Sequence, residues 1–367
     1  MSLKGRDLVS LSDFSSAQIL CLLDVAEQMA TAIGFDDGPR APLDPLDSIL
    51  ATLFFEPSTR TRLSFESAML RLGGQTLGFA EPGSSSIAKG ETLADTARMV
   101  SGYADIIVVR HPLAGAARVM ADYSDKPVIN AGDGAREHPT QTLTDLFTIR
   151  RELGTLAGLK VGLAGDLKYG RTVHSLAPVM AQFGSDIVCI SPEALRMPEG
   201  VLQQVRAAGR TATETTDLAG AMAELDVLYM TRIQRERFPS EEDYLAVKGC
   251  CNLTPELMAL GKEGLRVLHP LPRVDEIDPG VDVDRRAAYF RQAAGGVPVR
   301  MALIALLLGV YGQGRCAQPA PPRPEPVVSD RRCTNPKCIT SVESHLAAHC
   351  HEHEDKRTCA YCEMALQ

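Results

Sequence analysis

The sequence has no long hydrophobic run. Its longest apolar stretch, 301–308, falls well short of the ~20 residues a transmembrane helix needs. No apolar segment follows a basic one near the start, so a signal peptide is not expected. A basic face is missing too: 38 Lys and Arg stand against 46 Asp and Glu, a formal charge of −8, which argues against general nucleic-acid binding. The glycines of Gly162-Leu163-Ala164-Gly165 lack the full G-x-G-x-x-G spacing of a dinucleotide turn. There is no internal repeat. These absences predict a soluble cytoplasmic protein with neither membrane nor nucleic acid as partner. The acidic balance adds a constraint: an anionic substrate must be held by a local cluster of cations, because the overall field repels it.

What is present is globular in kind. The 367 residues are 45% apolar and 23% charged, enough for two or three domains with buried cores. Short apolar runs at 49–55, 106–109, 127–130, 161–164, 187–191, 227–231 and 267–269 read as buried parallel strands. Helix-period stretches at 58–72, 91–103, 138–153, 171–183 and 254–260 lie between them. The alternation predicts an α/β fold with two doubly wound parallel-sheet domains, crossing near the glycine-flanked segment 153–159. A late helix at about 297–311 is expected to pack back on the first domain. Residues 312–330 are proline-rich and read as a linker without a core. The segment 331–367 then holds five of the ten cysteines.

The residues suited to anion chemistry follow the strands, where open α/β sheets bind ligands. Ser58-Thr59-Arg60-Thr61-Arg62 joins a strand to a helix: unpaired N–H groups, hydroxyls and guanidiniums meet at a positive dipole end, a ready phosphate site. Ser84-Ser85-Ser86 with Lys89 and Gly90 suggests a loop that delivers a point charge. Arg110 follows one strand and His138-Pro139-Thr140-Gln141 another. In the second half, Arg171, Arg232 and the segment His269-Pro270-Leu271-Pro272-Arg273 again follow strands, and the two arginines suit the two carboxylates of one small acid.

In this order the segments resemble those of aspartate carbamoyltransferases, over about residues 8–311. The resemblance implies a carbamoyl-phosphate domain at 1–150, an aspartate domain at 151–296, and the conversion of carbamoyl phosphate and L-aspartate to N-carbamoyl-L-aspartate and phosphate, an early step of pyrimidine biosynthesis. It assigns the phosphate to Ser58, Thr59, Arg60 and Thr61; the carbamoyl carbonyl to Thr61, Arg110 and His138; and the carbamoyl amide to Gln141 and the backbone carbonyls of Leu271 and Pro272. It assigns aspartate to Arg171, Arg232 and Gln234. Ser85 and Lys89 match residues that reach a neighbouring subunit's site, which implies a homotrimer with shared active sites. Ornithine carbamoyltransferases share the phosphate loop but favour His-Cys-Leu-Pro where this chain has His269-Pro270-Leu271-Pro272.

The tail has its own pattern. Cys333-x4-Cys338, twenty intervening residues and Cys359-x2-Cys362 form a four-thiolate set of the kind that holds structural zinc, with Cys350, His345, His349, His351 and His353 read as loop residues. A segment this short needs such a staple to fold. Residues 332–339 and 359–363 are similar to the zinc domain of the separate regulatory chain of bacterial aspartate carbamoyltransferases. The nucleotide-binding allosteric domain that precedes it there has no counterpart here. The resemblance implies a small β-rich zinc domain that bridges catalytic subunits, pairing two trimers.

Overall fold

β1 (Ile49–Phe54) is apolar at every position but Thr52, and all but its first residue is buried. Such strands are stable only in a parallel sheet with both faces covered. The structure, a computed structural model, describes residues 3–35, 37–80, 89–233, 238, 240–247, 249–311, 325–353 and 356–366. Two compact units result: Met1–Thr140 with Val297–Gln367, and Gln141–Gly296.

The first unit begins with α1 (Ser16–Ala32), whose start is fixed by a reciprocal capping box between Ser15 and Gln18. After β1 come α2 (Thr59–Arg71), β2 (Gln75–Phe79), α3 (Leu93–Ser101), β3 (Ile106–His111), α4 (Ala116–Asp122) and β4 (Val128–Asp133); α5 (Pro139–Leu153) follows, and from Gln141 on it belongs to the second unit. The four strands are parallel in the order β2-β1-β3-β4. The order reverses between β1 and β3, and that switch point is where such sheets open a crevice for ligands.

The second unit runs through β5 (Lys160–Ala164), α6 (Arg171–Gln182), β6 (Asp186–Ile190), α7 (Glu199–Ala207), β7 (Ala212–Thr215), α8 (Leu218–Met222), β8 (Val227–Met230), α9 (Glu241–Val247), α10 (Pro255–Leu260) and β9 (Arg266–Leu268). Its five parallel strands lie in the order β7-β6-β5-β8-β9, with the reversal between β5 and β8.

α11 (Tyr289–Leu308) begins earlier than the late helix expected at 297, and Pro298 lies inside it. Proline opens helices readily, so it reads as a start. Here Gly295 and Gly296 precede it, and a Cβ on Gly295 would sit 3.2 Å from the Phe147 ring, so close contact favours continuing the helix. Among the described residues it is the one helix long and apolar enough to span a bilayer, yet 72% of its most apolar window is buried inside the protein.

The C-terminal segment folds as β10 (Val327–Val328), α12 (Ile339–Val342), β11 (His349–His353) and β12 (Lys356–Cys359), an antiparallel sheet in that strand order. β10 lies within what reads as linker; Val327 pairs with Cys350, so the module starts before residue 331. The rest of the linker, 312–324, lies outside the described residues. The module is docked on the first unit of its own chain. Cys338, Ile339, Leu346, Cys359 and Tyr361 share one apolar core with Leu93, Ala97, Val119 and Met120. Ala114 N–H donates to Lys337 O at 2.9 Å and Ile339 N–H donates to Ala114 O at 3.0 Å.

Gly115 lets the two surfaces meet. Its φ is +85°, and a Cβ there would lie 2.6 Å from Tyr361 Cβ and 2.9 Å from its backbone. Gly115→Ala should therefore loosen the module, at about 1–3 kcal/mol for the overlap alone. Limited proteolysis should then cut within 325–366 faster than in the wild type. Equal cutting rates would show that this contact does not hold the module.

Candidate active site and metal centre

In the first unit three site strands are neighbours. Phe54 of β1 stands opposite Arg110 of β3, and Val109 opposite Asn130 of β4, so the segments after all three leave the same sheet edge. Ser58 caps α2 by position, with extended backbone angles (φ −158°, ψ 98°), but its hydroxyl makes no capping bond. The first amides of α2 are thus not used up by the side chain a helix start normally spends on them. Thr59 and Arg60 are exposed there, while Thr61 is buried. Partial burial of the Arg60 guanidinium lowers its pKa from the ordinary arginine value.

Arg110 is buried and held on two sides: Nη2 donates to Glu56 Oε1 at 2.7 Å and Nη1 to Ala131 O at 3.2 Å. Its Nε is buried with no hydrogen-bond partner among the described residues. A buried donor left open is costly unless something fills it. Glu56 ties Arg110 to the turn that leads into Ser58, and Ala131 ties it to the strand that leads to His138. His138 is itself buried directly ahead of α5, with Nδ1 3.4 Å from Thr140 Oγ1. Lys89 is exposed before α3. Ser85 lies outside the described residues.

The loop after β4, just ahead of His138, is built on charge. Arg136 is surrounded by Glu363 (2.6 Å), Glu137 (3.2 Å) and Asp133 (3.6 Å). Burial alone would lower the Arg136 pKa, but these three carboxylates raise it well above the ordinary value. Burial pushes the Glu137 carboxyl up to about 7 against the pull of Arg136.

The second unit repeats the arrangement with β5, β8 and β9. Gly165 ends β5 at φ +108°, and a Cβ on it would lie 2.4 Å from Thr231 O; only glycine allows the ends of β5 and β8 to approach so closely. Thr231 Oγ1 donates to Ala164 O at 2.9 Å and closes the junction. Arg171 opens α6 after the first strand end and Arg232 follows the second; both are partly exposed. Gln234 lies outside the described residues. Gln141, on α5, donates through Nε2 to Asp145 Oδ1 at 2.8 Å, which fixes the orientation of its amide.

After β9, the buried His269 acts as a frame. Its Nδ1 accepts from Leu271 N–H at 2.8 Å, so its Nε2 carries the proton given to Glu276 Oε1 at 2.7 Å. Burial raises the Glu276 carboxyl, but the His269 bond and two backbone N–H groups bring it below its usual value. The frame holds Leu271 at φ +52°, unusual for leucine, before a cis bond to Pro272. Reading the sequence alone gave no role to Glu56, Asp145 or Glu276. Asp145 lies one helical turn from Gln141 and Glu276 seven residues after His269, a local signal, whereas Glu56 is 54 residues from Arg110 and no local pattern pairs them.

The four cysteines of the tail converge: the sulfurs of Cys333, Cys338, Cys359 and Cys362 lie within 4.8 Å of one another. Cys333 and Cys362 are 3.4 Å apart, Cys338 and Cys359 3.9 Å. A metal–sulfur bond of about 2.3 Å gives a tetrahedron with edges of about 3.8 Å, whereas a disulfide needs about 2.05 Å. The donor set fits a tetrahedral thiophilic metal.

Sequence models of known families match most of the chain: "Aspartate/ornithine carbamoyltransferase, carbamoyl-P binding domain" over residues 6–151 and "Aspartate/ornithine carbamoyltransferase, Asp/Orn binding domain" over 157–307. The chain is 56% identical to an aspartate carbamoyltransferase catalytic subunit of Thermococcus kodakarensis, over 85% of this chain and 100% of that one. It is 53% identical to the one from Methanopyrus kandleri, over 84% and 99%. Among solved structures, the catalytic subunit of M. jannaschii aspartate transcarbamoylase superimposes with a TM-score of 0.77 at 47% identity, covering 83% of this chain and 98% of that one. Aspartate transcarbamoylase from Trypanosoma cruzi in complex with carbamoyl phosphate gives 0.78 at 42% identity, covering 83% and 97%. The matched part ends ahead of the cysteine module, and within it both half-sites lie on the matched domains: the chain belongs to the aspartate/ornithine carbamoyltransferase family.

Proposed function

We propose that this chain is an aspartate carbamoyltransferase, joining carbamoyl phosphate to L-aspartate. The observation that carries the reading is Arg110: a buried guanidinium with an open Nε, fixed beside an uncapped helix start and tied to the strand leading to His138. That set of donors suits a carbonyl oxygen next to a phosphate. Carbamoyl phosphate belongs to 1–150 and aspartate to 151–296. Ser58, Thr59, Arg60, Thr61 and the α2 amides hold the phosphate. The aspartate amine attacks the carbamoyl carbon, and Thr61, Arg110 and His138 stabilise the oxyanion that develops. Gln141 accepts from the carbamoyl amide, as do the carbonyls of Leu271 and Pro272. Arg171, Arg232 and Gln234 hold the dicarboxylate. As the carbon–nitrogen bond forms and the carbon–oxygen bond to phosphate breaks, the leaving phosphate takes the amine proton.

Ser85 and Lys89 complete the site of a neighbouring subunit in a homotrimer. The tail is a structural zinc domain akin to that of a regulatory chain, with Cys333, Cys338, Cys359 and Cys362 as ligands. Zinc there supplies folding energy and no step of the reaction. Because the module sits on its own chain, any pairing of two trimers uses its outer face, where Val328, Val342 and Met364 are exposed.

Phosphate release with L-aspartate, and none above background with L-ornithine, is the expected assay result; the reverse preference overturns the reading. Arg60→Ala should lower kcat roughly 10²–10³-fold with a milder rise in KM, since Arg60 meets charge that grows on the leaving group. A kcat within a few-fold of wild type removes that role. Mixing Lys89→Ala with Arg110→Ala chains after mild dissociation should restore activity in a fraction of sites, because each mixed interface can pair one intact half from each chain. No recovery would point to sites complete within single chains. Metal analysis should find one zinc per chain, and a chelator should lower Tm by several degrees; a metal-free chain of unchanged Tm would refute the zinc assignment.

A further inference from the structure

The cysteine module touches the loops that follow two site strands. Lys337, next to Cys338, accepts from Ala114 in the loop after β3, four residues beyond Arg110. Glu363, next to Cys362, accepts from Arg136 Nη2 in the loop after β4, two residues ahead of His138. The loops are also fastened to each other: Gly115 N–H donates to Asp133 Oδ2 at 2.9 Å and Gly134 N–H to His111 O at 2.8 Å. Asn130, Glu137 and Ser10 complete the network, through Asn130 Nδ2 to Asp133 Oδ1 at 3.0 Å and Ser10 Oγ to Glu137 Oε1 at 2.9 Å.

Arg136 is the joint. Its side chain is 7% exposed, and its Nε and Nη1 are buried without hydrogen-bond partners among the described residues. Where this guanidinium rests therefore depends strongly on its carboxylates, and the nearest, Glu363, belongs to the module. The direction of Glu363 is set in turn by the second cysteine turn. Its backbone has φ +62°, and the turn is closed by Glu363 N–H on Cys359 O and Cys359 N–H on Met364 O, each 2.8 Å.

We propose that Glu363 and Arg136 carry the order of the four-cysteine cluster into loop 134–138, so that a filled metal site positions His138. Arg136 is a positioning residue that acts through His138. The inference rests on the reading of His138 as a donor to the carbamoyl oxygen, and extends it by making the appended module part of the active site's support. Losing the metal, or losing Glu363, leaves the guanidinium with fewer fixed partners and frees the loop next to His138.

The experiment uses the full-length chain in its native assembly, comparing wild type, Glu363→Ala, Glu363→Gln and Arg136→Lys. Zinc content, amide hydrogen exchange in 133–138 and steady-state kinetics are measured on each. Glu363→Ala should keep its zinc, exchange these amides about tenfold faster, and lose about tenfold in kcat with KM for aspartate changed less than about threefold, as for a displaced donor. Glu363→Gln, which still offers an oxygen to Arg136, should fall between it and wild type. Removing zinc from the wild type should speed the same amides, whereas removing it from Glu363→Ala should add little there. Wild-type exchange in zinc-replete Glu363→Ala, or in the metal-free wild type, would overturn the proposal. Should Glu363→Ala lose its zinc or its fold, Glu363→Gln and Arg136→Lys decide: unchanged exchange and kcat in both sink it. The exchange readout does not depend on the reaction, so an inactive wild type would count against the carbamoyltransferase reading alone.

Discussion

Parallel strands deliver all their carboxyl ends to one edge of a sheet, and everything functional in this chain depends on that constraint. In the first unit it sets the turn before α2, Arg110 and the approach to His138 side by side on β1, β3 and β4. In the second it does the same for Arg171, Arg232 and the Leu271 segment on β5, β8 and β9. Both groups lie beside the point where strand order reverses, the place where helices diverge and leave a crevice. A protein with a net charge of −8 can then concentrate positive groups locally without becoming basic overall.

Cations gathered this way must be held still, and the chain uses carboxylates to do it. Glu56 fixes Arg110, and Asp145 fixes the Gln141 amide. Glu276 fixes the His269 tautomer and with it the Leu271 backbone. A partner that neutralised its cation completely would defeat the purpose. Arg110 shows how this is avoided: two of its nitrogens are engaged while Nε stays open. The anchor sets the position, and the remaining donor keeps its capacity for ligand.

Much of this was legible in the sequence. Buried parallel strands advertise themselves because both faces must be apolar, and residues directly after them inherit a place at the site. That is why Ser58, Arg60, Arg110, His138, Arg171 and Arg232 stood out. The edge strands β2 and β7 did not, since they are largely exposed; Gln75-Thr76-Leu77-Gly78-Phe79 and Ala212-Thr213-Glu214-Thr215 carry no continuous apolar run. α11 looks shorter in the sequence than it is, because Pro298 and the glycines before it resemble a boundary, whereas in the fold Gly295 packs against Phe147. The four-cysteine cluster is visible as spacing, but the docking of its module on the same chain is not. It depends on Gly115, Ala114 and Arg136, more than 220 residues away in sequence from the groups they meet, and no local pattern encodes such a pairing.

That docking changes what the module must do. A domain of some forty residues cannot bury enough surface to fold unaided, so it needs a metal, a partner surface or both. Here the partner surface is a core shared with Leu93, Ala97, Val119 and Met120, and the four sulfurs lie close enough together to hold a metal. The benefit is mutual, because α3 and α4 would otherwise leave those apolar side chains against water. Module folding and covering of this face are therefore linked equilibria, and a metal held by the four sulfurs would be linked to both. A separate chain on the same face would dissociate on dilution, whereas a tethered module is held at a high effective concentration. Covalent attachment thus converts a concentration-dependent association into a property of the fold, and the loops behind Arg110 and His138 inherit that permanence.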